Sequence, residues 1–147
     1  MNDLLTITGK LMIVIYDENG LLKNKIEHNN LVVNSGLAYI ASRMVGNTSD
    51  IMSHMEVGTG TTAAVGANTA LQTPILGSRI VINPLSSSGA VITAVAQFNA
   101  GVATGAITEA GIFNASSEGT MICRTVFPVV NKSATDLMII TWTITVS

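Results

Sequence analysis

Leu137 to Val146 reads LMIITWTITV. Met138, Ile140, Trp142, Ile144 and Val146 fall on one side of this run, and Ile139, Thr141, Thr143 and Thr145 on the other. Successive side chains of a β-strand point to opposite faces, so a period of two predicts a strand here, with Trp142 as a core anchor. Threonine suits a pleated surface, and the threonine face is expected to be solvated or to lie at a subunit contact.

The same signature recurs towards the N-terminus. Candidate strands are Met55 to Val57, Arg79 to Asn83, Ala90 to Asn99, Ile107 to Asn114 and Thr120 to Phe127, most of them separated by turn chemistry such as LSSSG, NAGVATG, NASSEG and VNKSATD. In the Ala90 strand, Ile92, Ala94, Ala96 and Phe98 oppose Val91, Thr93, Val95 and Gln97, and both sides are apolar enough to be covered. Near the start, KLMIVIY ends at DENG, whose Asn19-Gly20 predicts a hairpin pairing Lys10–Tyr16 with Leu21–His28. Then Asn34 or Ser35 can cap a helix carrying Leu37, Ile40, Ala41 and Met44 at helical spacing, with Gly46-Asn47 as the stop. The strands and turns give an antiparallel sandwich or barrel signature with one short helix inserted, and the expected fold is mainly β: an N-terminal β-hairpin or arm over 1–33, then an antiparallel β-sandwich over 34–147 with a short leading α-helix.

The chain has 147 residues, the length of one domain, and a formal net charge of −2 with scattered basic residues, which gives little footing for nucleic acid. Only 11 % of residues are charged while 48 % are hydrophobic. Ordinary soluble domains carry about 25 % charged residues. No run of about 18 apolar residues exists to span a membrane, and MNDLLTITGKLMIVIYDENG lacks the order of a secretion signal. The deficit of charge therefore points to oligomerisation, in which uncharged faces are buried between subunits.

Chemistry-bearing motifs are sparse. His54 to Gln72, HMEVGTGTTAAVGANTALQ, holds a Gly-Thr-Gly, yet no lysine stands between Met44 and Ser78 to neutralise a phosphate. A dinucleotide fingerprint would need glycine where Ala63 stands, and Pro74 follows in place of an anion-binding helix. The stretch is expected to be a contact loop leaving a strand. His54 and Glu56 share a strand face but lack a third metal ligand, and His28 beside Glu27 is no better placed. Asp17, Glu18 and Asn19 lack the periodicity of a calcium loop and are explained by the turn. Cys123, the only cysteine, lies in the apolar run TMICRTVF and reads as a small buried hydrophobe.

Glu109 is the exception, a carboxylate inside the apolar run GAITEAGIFNA. If buried it needs a partner, and Arg79 or Arg124 can supply one within the subunit or across an interface. Its functional alternative is a general acid or base with a raised pKa, but a lone carboxylate is no catalytic constellation. No catalytic, cofactor-binding or metal-ligating residue is assigned, and the chain is expected not to be an enzyme.

The succession GLAYIASRM, MEVGTGTTAAVGANTALQTP, SRIVIN, AQFNAGVATGAITEAGIFNA and GTMICRTVFPVVNKSATDLMIITWTITVS resembles small structural proteins of tailed bacteriophages and prophages, variously described as tail-fibre-like or as capsid decoration (cement) proteins. The resemblance runs over Asn34 to Ser147, and VGTGTT, ITEAGIFNA and ITWTITVS together are its most specific part. It implies a non-enzymatic virion protein with a β-sandwich, made in the host cytoplasm, that assembles with itself, often as a trimer in the decoration case. Its implied partners are copies of itself and the major capsid protein or other virion proteins, and its implied place is the capsid surface in preference to the tail. A tail-fibre or baseplate component with a receptor- or glycan-binding role is the alternative. The family pattern usually has aspartate in the stretch matching ANTAL, where this chain has Asn68, so a charge pair at that point is not carried over. The N-terminal hairpin is less family-like and is expected to be an attachment segment.

Overall fold

The computed structural model describes residues 5–147, so the part of the N-terminal assignment that falls on residues 1–4 lies outside the described residues. Nine strands and one helix follow in the order β1 (Ile7–Tyr16), β2 (Leu22–Val32), α1 (Asn34–Met44), β3 (His54–Gly58), β4 (Ile80–Val81), β5 (Leu85–Ser88), β6 (Val91–Phe98), β7 (Gly105–Phe113), β8 (Met121–Lys132) and β9 (Leu137–Val146). The fold is mainly β, and every ladder is antiparallel.

The strands form one sheet in the order β4-β3-β7-β8-β2-β1-β9-β6-β5, curled into a half-barrel. The expected antiparallel, mainly β architecture with one helix is present, and a separation into the two sheets of a sandwich is not seen among the described residues. β2 belongs to both halves: it pairs with β1 from Gly9↔Asn30 to Tyr16↔Leu22, and its last residues, Leu31 and Val32, pair with Arg124 and Cys123 of β8. A single strand passing from one half to the other keeps the sheet continuous while its two halves fold over a common core. That core draws on both, with Leu11, Ile13, Phe98, Ile140 and Trp142 from one half and Met55, Val57, Ile107, Ile112 and Phe127 from the other.

The predicted β1–β2 hairpin is present and is built into this sheet. β1 pairs along its whole length with β9, from Ile7↔Val146 to Tyr16↔Leu137, and Leu11, Ile13 and Ile15 are fully buried. A strand with that much apolar surface is more stable paired on both edges than held out into solvent. Asp17 shapes the turn between them: its carboxylate accepts the Asn19 and Leu21 amides at 2.9 and 3.0 Å, and Gly20 takes a φ of 77°. The last strand matches the predicted bounds, with Met138, Ile140, Trp142 and Ile144 buried and the intervening residues half-buried.

Two local expectations change. The helix takes its N-cap from Val33 with no side-chain cap, because Ser35 Oγ donates to the Met121 carbonyl at 2.6 Å and the Asn34 amide donates to Gly66 at 2.8 Å. Gly36 is the residue pressed on β8, where a Cβ would lie 2.2 Å from the Ile122 carbonyl oxygen. LSSSG, read as a turn, is largely β5, a short edge strand paired with β6 through Leu85↔Ala94 and Ser88↔Val91. The edges β4 and β5 are consecutive in the chain, and Ile82 and Asn83 between them donate backbone bonds to Ser53 and Val95. The segment therefore ties the sheet's two ends together and leaves only short edges.

Candidate functional site

The Gly58–Pro74 loop leaves β3 and returns beside it. Gly58 bridges Pro74, Thr59 N–H donates to Thr73 O at 2.9 Å, and Ile75 N–H donates to Val57 O at 3.0 Å. The loop lies over the outer face of β7 and β8. A register shift between Ile107 and Glu109 leaves Ile107, Ala110 and Ile112 in the main core and turns Glu109, Gly111 and Phe113 to the loop side. There Leu71 of the loop packs with Phe113, Met121 and Val33 in a second small apolar cluster.

Glu109 stands at the centre of this roof, fully buried. Its Oε1 accepts the Gly60 and Thr73 amides at 3.1 and 2.7 Å, and its Oε2 accepts the Gln72 amide at 3.0 Å and Arg124 Nε and Nη2 at 3.1 and 2.8 Å. Burial alone pushes such a carboxyl up, but the Thr73 and Gln72 amides and the Arg124 guanidinium outweigh it and hold Glu109 below the ordinary carboxylate value. This is opposite to the shift a general acid working near neutral pH needs.

Arg124 extends the anchor. Its Nη1 donates to Asn68 Oδ1 at 2.9 Å and its Nη2 to the Thr62 carbonyl at 3.0 Å, and the side chain is 1 % exposed. Asn68 Oδ1 also accepts the Val65 amide, Gln72 Oε1 the Thr62 amide, and the Gly60 carbonyl the Thr108 hydroxyl. The loop is thus held at its base by Glu109, along its length by Arg124, and near its tip by the Asn34 amide on Gly66. Glycine is required where the clamp closes: a Cβ at Gly58 would lie 2.4 Å from Thr73 O and 2.5 Å from Glu109 Oε1, and one at Gly60 2.6 Å from the same carboxylate oxygen.

Between the two arginines left open by the sequence, the structure chooses Arg124. Arg79 is engaged elsewhere, 3.2 Å from Glu56, donating to the Ala115 and Glu118 carbonyls and lying 3.6 Å over the Phe113 ring. The glycine-rich loop does turn amides towards an anion, as its composition suggests, but the anion is the protein's own carboxylate. Sequence reasoning treated the loop and Glu109 as separate features; a lone carboxylate in an apolar strand and a lysine-free glycine loop were the joint signal.

The other candidates do not converge. His54 Nδ1 is 2.7 Å from Ser53 Oγ, and its imidazole is held below its ordinary pKa by burial and by Arg79, whereas His28 Nδ1 lies against Asn29 O and Thr125 Oγ1. Among the described residues no three His, Cys, Asp or Glu side chains are placed to hold a metal. Cys123 is buried, and burial pushes its thiol up to about 12, so it stays protonated at neutral pH. Among the described residues no helix is long and apolar enough to cross a membrane.

A second polar knot escaped the sequence, which showed only a turn at VNKSATD. Asp136, 2 % exposed, accepts Lys23 Nζ at 2.7 Å and the Ser133 amide at 2.8 Å, and these bonds hold its carboxyl down to about 2. Lys132, equally buried, donates to the Asn99 carbonyl at 3.0 Å. Both tie the β8–β9 turn to neighbouring strands. Compared with known proteins, the chain matches no family model, no curated protein and no solved structure.

Proposed function

We propose that the chain is a non-enzymatic structural protein of a tailed-phage virion: a capsid decoration subunit that assembles with copies of itself and bridges major capsid proteins. The reading rests on the resemblance carried by VGTGTT, ITEAGIFNA and ITWTITVS. The observation that supports it is where two of those segments meet: Glu109 of ITEAGIFNA fixes the loop that VGTGTT begins, and Arg124 completes the fastening. The most distinctive residues of the chain thus go into holding an uncharged loop in a fixed shape. Thr61, Thr62, Ala63, Val65 and Thr69 of that loop remain exposed. A preformed surface loses little entropy on docking, which suits a protein whose work is contact.

The test is to label this protein in purified particles and count it. Several hundred copies on the head support decoration; a handful at the tail would replace that reading with the tail-fibre or baseplate one; absence from particles would sink both.

A further inference from the structure

The two halves of the sheet are finished differently on their outer faces. The β7–β8 face is roofed by the chain's own loop, through Leu71, Glu109 and Arg124. The outer face of β1, β9, β6 and β5 carries no such loop among the described residues. Cross-strand rows run over it as Val14–Ile139–Gln97 and Met12–Thr141–Val95. From Ile80 to Thr108 and from Leu137 to Ser147 the chain has no Asp, Glu, Lys, Arg or His, so β5, β6 and β9 are free of charge. Charges enter at one border only, where Lys10 of β1 pairs with Glu27 of β2 at 2.9 Å, both about half exposed, with Lys25 beside them.

An uncharged centre with a charged border has the anatomy of a protein interface, in which charged residues are depleted from the core of the contact and kept at its rim. The dimensions also fit. β1 and β9 have ten residues each, β6 eight and β5 four; at about 3.3 Å per residue and about 4.8 Å between strands they give a flat face of roughly 500 Å² before side-chain relief is counted. A standard interface takes about 800 Å² of accessible surface from each partner, which such a corrugated face can supply.

We propose that this face is where a second copy of the chain docks, face to face, with Thr141 and Val95 near the centre and the Lys10–Glu27 border at the rim. The proposal rests on the self-assembly part of the reading above and names its surface. A second copy is the fitting occupant because an uncharged face of threonine and aliphatic side chains presents nothing a like face must leave unpaired, so it is complementary to itself.

The full chain and three variants would be compared by size-exclusion chromatography with light scattering at micromolar concentration: Val95→Lys and Thr141→Lys on the face, and Met44→Lys on the exposed side of α1 as control. The expected result is an oligomer for the wild type and Met44→Lys, and complete loss to monomer for both face variants with unchanged circular dichroism. Wild-type mass in both face variants would overturn the assignment of this face and leave the virion reading standing. A monomeric wild type would overturn the proposed interface and the self-assembly it rests on, while particle counting still decides virion membership. If the lysine variants fail to fold, Thr141→Cys gives a second route, since Cys123 is buried. A short bis-maleimide should then join two chains, and exclusive recovery of uncrosslinked monomer would overturn the proposal.

Discussion

Glu109 and Arg124 meet diagonally across the β7–β8 ladder, two positions from a directly opposed pair: Glu109 faces Val126 and Arg124 faces Gly111, and Oε2 and Nη2 lie 2.8 Å apart. Diagonal neighbours on one face lie within reach of long side chains. The space over Gly111, which has no side chain, is taken by Leu71 and Phe113: a Cβ there would be 3.0 Å from Leu71 Cδ2 and 3.1 Å from Phe113 Cε2.

Glu109→Gln should therefore be costly. Removing one charge of a buried, hydrogen-bonded pair costs about 3 to 5 kcal/mol. For a chain of this size that lowers the melting temperature by roughly 10 °C. Thermal denaturation followed by circular dichroism measures it, and an unchanged melting temperature would remove the ion pair from the account of stability. Hydrogen exchange at Gly60, Gln72 and Thr73, whose amides bond the carboxylate, should accelerate together.

Acid should weaken the fold through two carboxylates. Glu109 sits below its reference value of 4.5 in the folded state, so its contribution is complete above that pH and is lost as pH falls through the lower folded value. Asp136 behaves the same way between 3.8 and about 2. Denaturant midpoints should begin to fall below about pH 6.5, where His54 is held below its ordinary value, and fall further below about pH 4.5 as the carboxylates protonate. Asp136→Asn and Glu109→Gln should each make the acid fall shallower.

Gly58→Ala and Gly36→Ala should each destabilise by about 1 to 3 kcal/mol, the usual cost of overpacking. In both, the nearest obstacle is a backbone carbonyl oxygen, Thr73 O or Ile122 O, which cannot swing away as a side chain can. Urea unfolding checks this. The loop's amide protection should drop in Gly58→Ala, and α1 should fray in Gly36→Ala.

Asn68→Asp places a carboxylate where Asn68 holds Arg124 Nη1. Asn68 Oδ1 already accepts Arg124 Nη1 and the Val65 amide, so a carboxylate keeps both bonds and makes the first charge-assisted. A gain of about 1 kcal/mol is expected at neutral pH, disappearing below the pKa of the new carboxyl. Melting temperatures of the two proteins at neutral and acidic pH give the comparison. A loss at neutral pH would show that repulsion from Glu109 outweighs attraction to Arg124.

Much of the fold could be read from the chain. Leu137–Val146 announced its strand and its inner face, because burial on one side alone imposes a period of two, whereas the Ala90–Asn99 run announced a strand but left its inner face open, both sides being apolar. Asn19-Gly20 placed the hairpin, and helical spacing placed α1 over Asn34–Met44. LSSSG hid β5 because an exposed edge strand has no face to bury and hence no pattern to show.

At the clamp, the sequence by itself determined that a carboxylate stood in an apolar strand, that two arginines were available and that the glycine-rich loop lacked a lysine. Tertiary structure alone decided that Arg124 takes Glu109 while Arg79 takes Glu56, and that the loop's amides close on the same carboxylate. It also decided that the strands join in one curled sheet over the core, with the hairpin inside it. The physical reason is common to all of these: alternation fixes which way a side chain points within its own strand. Which partner it meets is set by register and by which strands become neighbours, and those are settled only when distant segments bury their surfaces together.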